Sequence, residues 1–101
     1  MSKIRNMTSS NGNDVPNQFV IEEEGHGALG NFTLRDTFQS YASTIAIITL
    51  WPDGRRDVVL DAGTWDYSTT TGRYRNQFLG ETKRETEARI KSGEYKLSEL
   101  N

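Results

Sequence analysis

"YASTIAIITLWPDGRRDVVLDAG", residues 41–63, is the stretch on which the fold turns. Ala46, Ile48 and Leu50 alternate with Ile45, Ile47, Thr49 and Trp51, so a strand here carries two largely apolar faces, the pattern of a strand covered on both sides. "PDGRR" (52–56) reads as a turn, with Pro52 fixing φ and Gly54 supplying a positive φ. "DVVLDAG" (57–63) then returns as the second strand of a central hairpin. Upstream, "NFTLRDTFQSY" (31–41) alternates as one strand or two short ones, and "FVIEEE" (19–24) fits a short strand ending at Gly25.

Downstream the period changes. Ser68, Thr69, Thr70 and Thr71 offer hydroxyl N-caps, Tyr74 and Phe78 stand one turn apart, and Gly80 is a stop, which predicts a helix over 68–80. Thr82 and Glu85 form a capping box for a second helix, with Glu85–Arg89 and Glu87–Lys91 as i,i+4 pairs, Ala88 and Ile90 as its apolar anchors, and Gly93 as its end. "EYKLSEL" (94–100) fits an edge strand or a final turn. The expected architecture is therefore α+β: a small antiparallel sheet with a central hairpin, followed by two short C-terminal helices.

The chain has 101 residues, 34% of them hydrophobic and 26% charged. That length bounds it to one domain with a thin core. Residues 1–17 hold few large apolar side chains among Ser, Asn, Gly and Pro, too few to offset their ordering entropy, so they read as a flexible tail before a single domain over 18–101. Cysteine is absent, which rules out disulfides and thiolate metal sites and suits a reducing cytoplasm. The apolar run Ile45–Trp51 is too short to span a bilayer, and no basic start with an apolar core marks a signal peptide. A host-cell cytoplasmic protein without membrane contact, monomeric or homodimeric, is the expectation.

The net charge of −2 hides a polarity. Residues 14–72 hold three arginines against nine carboxylates, whereas residues 73–96 hold seven cations against four. Such asymmetry orients a molecule on a charged partner, although two solvated faces would produce the same count. "GHGALG" (25–30) fits G-x-G-x-x-G, but a β-branched, aromatic segment follows it where a dinucleotide loop needs a helix, so it reads as a turn or loop. His26 is the sole histidine, and Glu22, Glu23 and Glu24 are consecutive and alternate faces, so neither a catalytic base with a partner nor a metal cluster is expected. Ser68, Thr70 and Thr71 at a helix start fit capping better than a phosphate cradle. No cofactor, metal or enzymatic activity is expected.

"FQSYASTIAII" (38–48) and "YSTTTGRYRNQFLGE" (67–81) together resemble a small uncharacterised domain of phages and other mobile elements, with the pattern S-Y-x-[ST]-x-[IV]-A followed by Y-S-x-T-T-x-[KR]-x-x-N-x-F-L. Ser40, Tyr41, Ser43, Ile45 and Ala46 match the first half, and Tyr67, Ser68, Thr70, Thr71, Arg73, Asn76, Phe78 and Leu79 the second. Tyr74 stands where that pattern often has a histidine. The resemblance implies a phage or mobile-element accessory protein. Two binding readings follow. In the favoured one, an acidic surface of Glu22, Glu23, Glu24, Asp53, Asp57, Asp61 and Asp66 engages a host protein or nucleoprotein complex and inhibits a defence system, as an anti-CRISPR protein would. In the alternative, Trp65, Arg73, Tyr74, Arg75, Lys83 and Arg84 bind nucleic acid, cations meeting phosphates and aromatics stacking on bases. A third reading is a structural or dimerisation module of a phage, paired through an exposed edge strand.

Overall fold

The computed structural model describes residues 2–25 and 32–101. Six strands form one sheet in the order β1-β2-β3-β4-β5-β6: β1 (Ser2–Thr8), β2 (Asp14–Glu24), β3 (Leu34–Ser40), β4 (Ser43–Leu50), β5 (Arg56–Asp61) and β6 (Tyr95–Ser98). The first five strands are joined antiparallel to their chain neighbours, and β6 runs parallel to β5. The connection from β5 to β6 contains both helices, α1 (Thr69–Leu79) and α2 (Lys83–Ser92), because parallel neighbours need a crossover long enough to return the chain to the same end. The fold is α+β, with a sheet larger than the small one expected. The β4–β5 pair lies to one side of the sheet's midline, which falls between β3 and β4. Among the described residues no helix is long and apolar enough to cross a membrane.

The N-terminal segment corrects the expectation of a tail. Residues 2–8 pair with β2 through Ser2↔Glu23 to Asn6↔Phe19, and Met7 is 2% exposed in the core. Composition alone undervalues such a segment. An edge strand draws much of its stability from backbone hydrogen bonds to its neighbour, and one well-placed methionine supplies the apolar anchor. β2 likewise begins at Asp14, five residues before the expected Phe19, and carries an irregularity at Asn17, whose φ is 65°.

Register assigns the two sheet faces. Side chains opposite one another in a ladder share a face, so Val20, Phe38, Ala46 and Leu60 form one row, and Ile21, Thr37, Ile47 and Val59 form its neighbour on the other face. The first row is fully buried. It packs beneath the helices with Tyr74, Leu79 and Tyr95, and Phe38 meets Phe78 of α1 with ring centroids 5.7 Å apart. The second row is only half-buried, and among the described residues no helix covers it. β4 is thus covered by helices on one side only, in contrast to the two-sided cover its apolar sequence suggests.

Local chemistry sets both helices. Ser68 Oγ accepts from the Thr71 N–H at 3.1 Å and caps α1, while Gly80 closes it at φ 71°. The Thr82–Glu85 capping box forms in full, and Gly93 ends α2. Of the expected anchors of α2, Ile90 packs against the core while Ala88 is exposed, and Thr86 is the buried residue. Arg89 pairs with Glu81 at 2.8 Å and Glu94 at 3.2 Å instead of Glu85. Glu81 is the reason. Its carboxylate also accepts from Tyr95 Oη at 2.6 Å and Thr86 Oγ1 at 2.5 Å, joining the α1–α2 junction to β6.

Candidate functional site

Three surfaces bear on function. The first is the uncovered sheet face, which the sequence reading did not single out. Its main row, Ile4–Ile21–Thr37–Ile47–Val59–Lys96, crosses all six strands, and Ile4 on edge strand β1 is 69% exposed. Phe19 extends the apolar surface beside Ile21 on β2. The flanking row Glu23–Arg35–Thr49–Asp57 supplies charge. Within it the Arg35 guanidinium lies 4.2 Å from the centre of the Phe32 ring and donates from Nε to Thr49 Oγ1 at 3.3 Å. The signal for this face was the β-branched alternation of β4, but choosing between its two faces required the register.

The acidic residues do not gather into one surface. Glu22 and Glu24 lie on the helix-bearing face, where Glu22 accepts from Arg5 Nε at 2.6 Å, and Glu23 lies on the open face. Asp53 sits in the β4–β5 turn, its carboxyl held below the ordinary range by hydrogen bonds from the Arg55 backbone and side chain. Asp57 accepts from Trp51 Nε1 at 2.7 Å. Asp61 is withdrawn from any partner because it is 5% exposed. It accepts from Thr64 Oγ1, the Leu100 N–H and the Gly63 N–H, and these bonds, led by Thr64, lower its pKa. Asp66 pairs with Lys83 at 2.8 Å and Arg75 at 3.3 Å, the Lys83 bond being the main cause of its lowered pKa. Asp36, opposite Glu22 in the β2–β3 ladder, is raised by burial first and by Glu22 second.

The basic residues divide as well. Tyr74 belongs to the core and cannot stack on a base. Arg75 is 1% exposed: Nη1 donates to the Trp65 carbonyl at 2.7 Å and to Asp66, Nη2 donates to Asn76 Oδ1 at 2.9 Å, and the guanidinium lies 5.2 Å from the centre of the half-buried Trp65 ring. Both follow from α1 packing its middle turn against the sheet, which carries these side chains inward. Arg73, Lys83 and Arg84 remain exposed. Arg73 and Lys83 line an open cleft of about 730 Å³ with Asp66, Ser68, Thr69, Gly72, Arg75 and Asn76. Elsewhere on α1 the buried Ser40 and Thr71 hydroxyls hydrogen-bond at 3.0 Å, bringing together segments 31 residues apart in the chain.

Among the described residues no group of three His, Cys, Asp or Glu converges on a metal position. His26 and the rest of the 26–31 loop lie outside the described residues. No curated protein and no solved structure matches the chain. A sequence family does match, over residues 2–95, nearly the whole of the folded chain, and the protein belongs to that family of unknown function, DUF8033.

Proposed function

We propose that the protein is a non-enzymatic accessory protein of phage or mobile-element type that binds a host protein complex through the open face of its sheet. The supporting observation is the contrast between two adjacent rows: Val20, Phe38, Ala46 and Leu60 lie under helices, whereas Ile4 is exposed and Ile21, Ile47 and Val59 are only half-buried, with no described helix over them. A contiguous apolar surface bordered by charge marks interaction sites on folded proteins. Glu23 and Asp57 on this face alternate with Arg35 and Lys96, and with Asp53 in the adjoining turn they give the apolar patch a charged border whose carboxylates suit basic groups on a partner. Defence complexes that hold nucleic acid in positively charged channels have that character. The resemblance to the mobile-element domain makes such a complex, a CRISPR effector among them, the target class.

Two other readings are weaker on specific grounds. The nucleic-acid surface loses Tyr74 and Arg75 to the interior. Self-pairing along β1 in a continued antiparallel sheet sets residues of like face opposite each other. Lys3 and Arg5 of one copy would then meet cations of the other, which destabilises the pair. The test is recovery of partners from host lysate with tagged protein, with and without nuclease. The proposal expects a protein complex retained after nuclease treatment; recovery of nuclease-sensitive material alone would overturn it.

A further inference from the structure

We infer that the cleft at the start of α1 is a binding site for a phosphate group, separate from the open sheet face. Charge is the first reason. Lys83 and Arg75 share the single carboxylate of Asp66, and exposed Arg73 has no carboxylate partner among the described residues, so the cleft holds three cations against one anion within an acidic protein. That excess of two matches a phosphate dianion. The second reason is independent of surface charge. Arg75 lines the cleft while 99% buried, and its Nε–H has no acceptor among the described residues. A buried guanidinium donor without a partner is costly, and a ligand oxygen is the kind of group that satisfies it.

Shape and backbone agree. Gly72 leaves the wall of the cleft bare above the guanidinium: a Cβ there would lie 3.6 Å from Arg75 Nη2, in contact with the group that reads the ligand. The first turn of α1, with Ser68 and Thr69, presents the positive end of the helix to the same space. The Ser68 hydroxyl is occupied in capping Thr71, so the ligand's oxygens fall to Arg73, Lys83 and the Arg75 edge. A free phosphate and a phosphomonoester share this dianionic chemistry, and a strand phosphodiester presents the same acceptor oxygens with one negative charge fewer.

The test is titration of the ¹⁵N-labelled full chain with inorganic phosphate, with a nucleoside monophosphate and with a short oligothymidine, against chloride at equal ionic strength. Shifts confined to 66–76 and 83 are expected with phosphate. Arg73→Ala with Lys83→Ala should weaken binding by about tenfold or more, the loss of at least one charge-assisted hydrogen bond. Thr69→Asp provides a fold-preserving control, because a carboxylate at a helix start stabilises the helix while repelling the ligand, so binding should fall and Tm should hold or rise. Tighter binding of oligothymidine than of the monophosphate would assign the site to a strand, and the reverse order to a small molecule; both support a phosphate site. Absence of shifts with all three probes, or shifts that survive both variants, would overturn it. Because shifts are read residue by residue and partner capture is tested at the open face, this result and partner capture fail independently.

Discussion

Replacing Ile45 and Ile47 with alanine, one at a time, separates the two faces of β4 with a single chemistry. Ile45 falls at the register shift between Phe38 and Gln39 of β3 and is 1% exposed within the core. Its truncation removes the transfer energy of the lost carbons and leaves a cavity that α1 and the sheet cannot fully close, a loss of about 2 to 5 kcal/mol. Ile47 stands on the open face, half-buried between Thr37 and Val59, with no described helix above it. No cavity forms there, and only part of the roughly 1.5 to 3 kcal/mol for complete burial is at stake, so about 1 kcal/mol is expected. In a domain of this size the first change should lower Tm by more than about 10 °C and the second by about 4 to 8 °C. Urea denaturation with unchanged m-values is the decisive assay, because a changed slope would signal a different denatured state. Equal losses, or a larger loss for Ile47→Ala, would refute the assignment of faces.

Glu81→Ala removes a nearly buried carboxylate that accepts from Tyr95, Thr86 and Arg89, and should cost about 3 kcal/mol in chemical denaturation. Deleting residues 2–8 strips β1 from β2 and Met7 from the core, so the thermal transition should broaden and fall; an unchanged midpoint would return the segment to the status of a tail. Asp61, with its folded pKa depressed, contributes stability that is present above the ordinary aspartate range and is lost as pH falls through the lowered value. Asp61→Asn should therefore be less stable at neutral pH and show a flatter acid limb when Tm is followed from about pH 7 to about pH 2.

What could be read from sequence was local. The Gly54 turn, the Ser68 cap, the Thr82–Glu85 box and the two glycine stops are decided within a few residues, and each forms. What could not be read was set by distant partners. Ser2–Thr8 becomes a strand because residues 19–23 pair with it, a fact its own polar composition conceals. β4 is apolar on both faces, so only the arrival of α1 and α2 decides which face is core. The charged candidates fared worst for the same reason: Arg75 and Asp61 have the composition of surface residues, yet Asp66, Asn76 and the Trp65 carbonyl take up the first, and Thr64 and the Leu100 N–H the second.

The most direct test of the proposed function is capture of a host complex from nuclease-treated lysate by the native chain, by Ile47→Arg and by Arg73→Ala with Lys83→Ala, all checked for native folding. Ile47→Arg places a cation at the centre of the open face, where a basic partner would be repelled and an apolar one left unpacked. The account predicts a nuclease-resistant protein complex that the native chain and the cleft variant retain and Ile47→Arg loses. Retention of the same complex by folded Ile47→Arg would contradict it.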